Sequence, residues 1–581
     1  MKFFHVYNED CIKGLEKNGL INKDTGFKIQ HAFSVPKDRL FNNYAKVGGT
    51  LHSILKENNM PFYVDRIAGG VTYFPYKFDK DLIRVYRDML GDEFLGFQMH
   101  ESASNRRDSE WVTFMNVMGS KGPYDVEKMK EKLLSGHAVT PNGERMYDTA
   151  HDTVEYFANR SYAETVADFV EEVREMFQRR MDDTDGNILP VDSFYLFTKL
   201  QDEMGMRTFM PEVGWQISRE REQVALVRGV AKSSGKKWGT YYECWRADYN
   251  DNLDVTATCM PCYNVHPINE WYLTQETHLD DFTTHGINGG SSRLLQNRIY
   301  YHSLMSGADY LSEEWGLNCS YNDMSEWTLS PYGQVKKDFI NTALDLQGVQ
   351  AKIPFAIVLP KDYYCLEIQN PVRVKEYGIR NNVFMLCKLT PAEIEYYTHI
   401  EDLLTLFFER KGEAYGTEGH SMTNSRFGDI VDVIYEDAPD AVLSSYEYLI
   451  DATKAGNFAA ARANSGLKIL ESKDLEKLAY QMDQLIPQVM PVWVDDLHWL
   501  VSTDDKGRRF LTIFNNEGNT RTTEFGDVID SKATRTVTIS SREPLNLSIF
   551  KDARENVQLT KIDNCNYRAT ISGADFIILE Y

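Results

Sequence analysis

Among its 581 residues the chain has no run approaching eighteen apolar residues, so no segment is predicted to span a membrane. Its opening residues, MKFFHVYNEDCIKG, lack the uninterrupted apolar stretch and small-residue cleavage site of an export signal, because Asn8, Glu9 and Asp10 break it. A cytoplasmic location is the expectation. Cationic side chains are in deficit: 63 Lys and Arg face 86 Asp and Glu, a net charge of −23. Phosphates would meet a repulsive field, so neither nucleic acid nor an anionic membrane surface is the expected partner. Cysteine is sparse, with eight residues scattered over positions 11, 244, 259, 262, 319, 365, 387 and 565, which fits reduced thiols rather than a disulfide framework. Only 18 prolines beside 42% hydrophobic residues exclude a disordered chain, and 33 Tyr, 30 Phe and 9 Trp can fill sizeable cores.

Over the first 350 or so residues, short apolar runs alternate with stretches of helical period, which predicts a parallel sheet with helical crossovers and, at this length, a (β/α)8 TIM barrel. Candidate strands are Lys2–Tyr7, Phe27–Phe33, Pro61–Ile67, Phe94–Met99, Arg207–Met210, Gly239–Tyr242 and Asp309–Leu311, seven of the eight a barrel needs, with the missing one expected between 112 and 200. Helices are predicted at Lys80–Leu90, capped by Asp79 and stopped by Gly91, after a capping box Ser161-x-x-Glu164, and from about Gln334 to Leu346. At Pro354 the pattern changes. PFAIVLP, a helix near Glu401–Arg410, VDVIY (431–435), YEYLID (446–451), LKIL (467–470) and a helix near 473–485 read as a small α/β, flavodoxin-like unit. From about Pro491, alternating runs such as RFLTIF, RTVTIS and DFIILEY between turn residues read as an antiparallel β-sandwich. The expected division is therefore 1–350, 351–490 and 491–581.

Reactive groups of such barrels sit where strands end at their C-terminal side. Four ends carry carboxylates: GFQMHE (96–101), FMPEVGW (209–215), YYECWR (241–246) and ADYLSEEW (308–315). Trp or His stands beside each. Carboxylates and aromatics together suit sugar chemistry, because glycosidic cleavage needs one carboxyl to protonate the leaving oxygen and another to attack or to activate water, while sugar faces stack on Trp and Tyr. A carbohydrate is the expected partner. No cofactor or metal is expected: Gly289-Gly290-Ser291-Ser292 lacks the Lys of a phosphate loop, no G-x-G-x-x-G follows PFAIVLP, and Cys259-Met-Pro-Cys262 supplies two metal ligands with no second pair.

The barrel, small α/β unit and β module in this order resemble the glycoside hydrolase family 42 β-galactosidases, members of a clan A-like group. FLGFQMHE (94–101) is similar to that family's fourth-strand segment, which implies that Glu101 is the general acid/base. YYECW (241–245) is similar to the seventh-strand segment, which implies that Glu243 is the nucleophile. NRIYYHSLMSGADYLSEEWG (297–316) resembles the helix and eighth strand that follow, with the usual aromatic-Trp-Arg end replaced by Glu313-Glu314-Trp315. His100 stands where the clan has an Asn that contacts the sugar 2-hydroxyl, a departure that bears on substrate identity.

The Glu101/Glu243 pair and the missing export signal point to an exo-acting glycosidase for a small oligosaccharide, retaining if the two carboxyls lie about 5 Å apart. The resemblance adds a terminal, β-galactoside-like sugar and an α/β unit that supports homo-oligomerisation. For its role Glu101 needs a raised pKa beside an ionised Glu243, helped by Tyr242 or Arg246. Substrate contacts are expected from His100, Asp65, Arg66, Asn105, Glu212, Trp215, Trp245, Arg246, Glu313, Glu314 and Trp315, with Arg106, Asp248, His285 and Arg293 as further candidates. Two alternatives stay open: a glycosidase of other specificity or inverting mechanism using Glu212 or Glu313/Glu314, and a non-catalytic carbohydrate-binding barrel.

Overall fold

In a computed structural model of the chain, eight parallel strands close a barrel in chain order: β1 (Lys2–Val6), β2 (Thr25–Ile29), β3 (Phe62–Ala68), β4 (Phe94–His100), β5 (Ile188–Asp192), β6 (Thr208–Gly214), β7 (Lys237–Glu243) and β8 (Tyr310–Glu314). The structure describes residues 1–7, 9–29, 37–68, 78–100, 165–192, 197–214, 220–243, 293–314, 320–323, 325–329, 331–364, 390–409, 422–522, 526–554 and 556–581. Helices among them are α1 (Glu9–Lys17), α2 (Lys37–Tyr44), α3 (Thr50–Asn58), α4 (Lys80–Leu90), α5 (Val166–Asp183), α6 (Thr198–Glu203), α7 (Glu220–Ser234), α8 (Arg293–Met305), α9 (Pro331–Asp345) and α10 (Pro391–Phe408). Among the described residues no helix is long and apolar enough to cross a membrane.

The strand missing from the sequence reading is β5, ILPVD, within the expected interval; it is five residues long and Pro190, which has no N–H to give a ladder, disguises it. Asp79 caps α4, accepting from the backbone of Asp81 and Leu82, and Gly91 ends the helix with φ +56°. The box of α5 differs from the expected one: Thr165 and Asp168 cap each other's backbone reciprocally, and the helix starts at Val166. Strand β6 continues past its expected end at Met210 through Pro211 to Gly214, so Glu212 lies within the strand rather than on the loop after it.

The chain packs as two compact units, one of Lys28–Met210 and Asp362–Glu401, the other of Met1–Phe27, Pro211–Lys361 and Asp402–Tyr581. In the first, an aromatic cluster joins strands to helices: Phe62 and Phe94 stack at 6.0 Å, Phe94 lies 6.1 Å from Tyr86 of α4, and Phe97 lies 5.0 Å from Phe41 of α2. Phe94 and Phe97 thus share the helix-facing side although three residues apart, which a regular strand of period two does not allow. A bulge supplies the extra residue, because Phe62 pairs with Phe94 but Tyr63 with Gly96. Gly96 has φ +96°, and a Cβ there would sit 2.5 Å from the Asn187 carbonyl oxygen. That carbonyl accepts from the Phe97 N–H at 3.0 Å, and Arg207 Nη2 donates at 3.0 Å both to the Phe94 carbonyl and to Asn187 Oδ1. Gly96→Ala is expected to cost about 2 kcal/mol or more, through the left-handed φ and the overlap, read as a lowered urea midpoint.

In the second unit a four-stranded parallel sheet orders Val431–Tyr435, Phe355–Leu359, Tyr448–Asp451 and Ile469–Glu471 side by side. Its core is Ala356, Val358, Ile434, Leu443, Tyr446, Leu449 and Phe458. Helix α7 lies against Val431–Tyr435 so closely that a Cβ on Gly229 would be 2.2 Å from the Val433 carbonyl. Arg228 Nε donates to Asp432 at 2.6 Å, and the Tyr446 hydroxyl donates to the same carboxylate at 2.8 Å. The chain from 491 on forms antiparallel sheets, one of five strands around Arg509–Phe514 that includes Gln350–Ala351, and one of four around Arg535–Ser541. Trp499, 1% exposed, plugs the space that Gly428 leaves open, where a Cβ would be 2.4 Å from the indole.

Candidate active site

Strand alternation decides which carboxylates can reach the barrel interior. On β8, Glu313 faces the helices: it accepts from the Tyr300 hydroxyl and, at 3.3 Å, from Gln296 of α8, and it pairs with Lys336 of α9. Ser312 and Glu314, one position either side, fall on the interior face, and Glu314 is buried. On β7, Thr240 shares a 2.8 Å hydrogen bond with Ser303 of α8, and the Tyr242 ring lies 5.9 Å edge-on to Tyr300, so both face the helices and Tyr241 faces inward. Glu243 is the last residue of β7, in backbone register with Glu314. Glu212 is buried in β6.

On the other unit, the bulge at Gly96 restores the interior face to Gln98, which is fully buried. Asp65, on β3, is engaged by Lys28 of β2 at 3.3 Å, with side chains 3% and 1% exposed. Lys28 escaped the sequence reading because a single Lys inside the run FKI carries no local signal that it points inward and meets a carboxylate. Asp192, ending β5 and buried, escaped because its strand did.

The backbone of His100 ends β4 in register with Val191, and that of Arg66 lies in β3. Glu101, Asn105, Arg106, Trp215, Trp245, Arg246, Asp248, His285 and Trp315 lie outside the described residues, as do Cys259, Cys262 and the Gly289–Ser292 run. Arg293 is the first residue of α8.

Away from the strand ends, His302, Asp429 and His498 come together from distant parts of the chain, all buried. Their donor types suit a divalent cation. Their contacts, 2.7 Å from His302 Nε2 and 2.6 Å from His498 Nε2 to one carboxylate oxygen, are those of hydrogen bonds carrying protons, and a guanidinium occupies the other oxygen. We therefore assign them to a hydrogen-bond network and not to a metal centre.

No family model and no curated relative matches the sequence. Solved structures of similar fold include the catalytic module of a family 98 glycoside hydrolase from Streptococcus pneumoniae, in complex with the Lewis Y pentasaccharide. It is 10% identical, with 100% of this chain and 98% of that one covered and a TM-score of 0.40. An α-L-fucosidase isoenzyme 2 from Paenibacillus thiaminolyticus is 9% identical over 99% and 96% of the two chains at a TM-score of 0.43. A GH5_18 protein from Streptomyces cattleya, in complex with GlcNAc, is 9% identical over 80% and 92% at 0.31. Likenesses this distant say nothing of the chemistry, which has to be argued from the strand ends.

Proposed function

We propose that the chain is a glycoside hydrolase, exo-acting and retaining, that releases a terminal β-galactoside-like sugar from a small oligosaccharide or glycoside. The observation that carries this reading is the set of carboxylates at or near the C-terminal ends of barrel strands in the second unit: buried Glu212 and Glu314, with Glu243 in register beside Glu314. Carboxylates are otherwise rarely buried, and a barrel gathers them at this end where substrates bind. In this reading residues 1–350 form the catalytic part, and 351–490 and 491–581 are accessory, the former supporting oligomerisation.

Glu243 attacks the anomeric carbon as Glu101 gives its proton to the departing glycosidic oxygen. Water, deprotonated by Glu101, then breaks the ester and frees Glu243. Two inversions leave the configuration unchanged, and this route needs the carboxyls about 5 Å apart. In this reading Asp65, held by Lys28, supplies a polar contact for a sugar hydroxyl, and so does Glu314. Glu313 faces the helices and is held by Tyr300, Gln296 and Lys336, whereas Glu314 lies on the interior face, so of that pair Glu314 is the one placed to meet sugar.

A panel of α- and β-nitrophenyl glycosides, with Glu101→Gln beside wild type, tests this. Release from one β-glycoside, lost in the variant, is the expected result. No release from any glycoside or natural oligosaccharide, together with sugar binding that survives Glu101→Gln, would replace it with a carbohydrate-binding barrel. The buried positions of Glu212 and Glu314 favour, as the second reading, an inverting pair using one of them. Proton NMR of the first-formed anomer separates the two, since only the proposed route retains configuration.

A further inference from the structure

The polar junction around Asp429 is built from five separate pieces of chain, and its hydrogen bonds constrain where the protons lie. Arg221, the second residue of α7, is fully engaged: Nε and Nη2 each lie 2.8 Å from Asp429 Oδ1, Nη1 donates to the Thr423 carbonyl at 3.1 Å and to Ser425 at 2.8 Å, and Nη2 donates to the Phe427 carbonyl at 3.2 Å. Two charged donors on this one oxygen, Oδ1, keep Asp429 ionised. Burial opposes that charge, but Arg221 and the two histidines outweigh it and hold the carboxyl well below its usual range.

The other oxygen, Oδ2, faces both imidazoles. Asn516 Nδ2 gives one hydrogen to the Thr423 carbonyl at 3.2 Å and points the other at His498 Nδ1, 3.1 Å away. Turning the amide over would set two oxygens against each other at Thr423, so Nδ1 of His498 is the acceptor and its proton sits on Nε2, facing Asp429. His498 is then neutral, and burial pushes its pKa down to about 3. Asp429, being ionised, accepts a hydrogen bond from His302. Its Nε2 meets the same ionised oxygen at 2.7 Å, and its Nδ1 meets Glu220 Oε1 at 2.8 Å.

We propose that His302 is an imidazolium clamped between Glu220 and Asp429, and that this one proton locks helices α7 and α8 to the 422–429 segment and to strand His498–Thr503, the lock opening when alkali removes it. The charged neighbours among the described residues fit this assignment. Glu220 and Asp429 carry two negative charges, Arg221 and His302 two positive ones, Arg298 on α8 adds positive potential at Glu220, and neutral His498 stands edge-on to His302 with centroids 4.9 Å apart. Burial disfavours the charge on His302, yet the hydrogen bonds to Asp429 and Glu220 override it and raise its pKa to about 9. Burial pushes the Glu220 carboxyl up in turn, so the pair holds a single proton between them that belongs on the more basic imidazole.

An unfolded histidine titrates near 6.5. The stabilisation is therefore complete below about pH 6.5 and disappears as pH rises through about 9. Between these values His302 holds a proton in the native chain that it lacks in the unfolded chain, a contribution that by itself lowers the folding equilibrium constant about tenfold per pH unit, while burial of the Met1 amine, which lowers its pKa, contributes a slope of opposite sign. The test uses the full chain labelled with 13C at histidine Cε1. One of the thirteen imidazoles is expected to stay doubly protonated at pH 8 and to lose its proton near pH 9, and His302→Gln removes that signal. The pH dependence of stability, read from urea unfolding between pH 7 and 9, is expected to differ between wild type and His302→Gln by about tenfold per pH unit in the folding equilibrium constant, and to match wild type in His498→Gln. If His302→Gln does not fold, the wild-type spectrum decides alone. No protonated imidazole at pH 8 overturns the proposal, and so does one equivalent of zinc, added alone, binding wild type and deprotonating His302 Nε2.

Discussion

Glu243→Gln is expected to lower kcat on the sugar that wild type hydrolyses by about 10³-fold or more, with the urea midpoint unchanged. An amide cannot attack the anomeric carbon to form the glycosyl ester, so the covalent route is closed to the variant. The fold has little to lose: position 243 ends β7, and its backbone pairing with Glu314 does not depend on the side chain. KM should move less than kcat, because a nucleophile contributes mainly in the transition state. Glu212→Gln is the control that gives the experiment its edge. If Glu243→Gln keeps activity and Glu212→Gln loses it, the chemistry belongs to β6 and the retaining assignment fails.

Asp429→Ala is expected to destabilise the chain by about 3–5 kcal/mol, the cost of leaving buried charges without their partner. Few single positions here hold so much: one carboxylate receives the Arg221 guanidinium, His302 and His498, all nearly or wholly excluded from water. Removal leaves Arg221 with only neutral acceptors, and leaves His302 with Glu220 alone. The urea midpoint at pH 7 is the readout. Asp429→Asn should recover part of the loss by keeping an acceptor of the same shape but not its charge. A change below about 1 kcal/mol for Asp429→Ala would mean that the junction is wet or rearranged in solution.

Much of the architecture could be read from local pattern. Apolar runs placed seven barrel strands because a strand buried on both faces reads as a continuous hydrophobic stretch. The cap of α4 was readable because Asp79 acts on N–H groups two and three residues away. Reading failed where the signal was short or masked by one residue: β5 behind Pro190, and the extension of β6 through Pro211. The candidate site was legible as residue types at strand ends, and much less so as roles. Glu313 and Glu314 look equivalent in LSEEW, yet packing turns one towards Lys336 and Tyr300 and leaves the other on the interior face. The bulge at Gly96 likewise shifts the parity of β4, which no count of alternating residues could foresee.

Composition and near neighbours alone set the periods of strand and helix, the cap of α4, the excess of acid over base, and carboxylates at the ends of β7 and β8. Only the tertiary structure decided partnerships across the chain. Lys28 meets Asp65 across 37 residues, His302 meets Asp429 across 127, and His498 meets the same oxygen across 69. Local pattern constrains only the few residues within one turn or pleat. The partner of a buried charge is chosen by which surfaces the hydrophobic core brings together, and by the high cost of leaving that charge unpaired once they close.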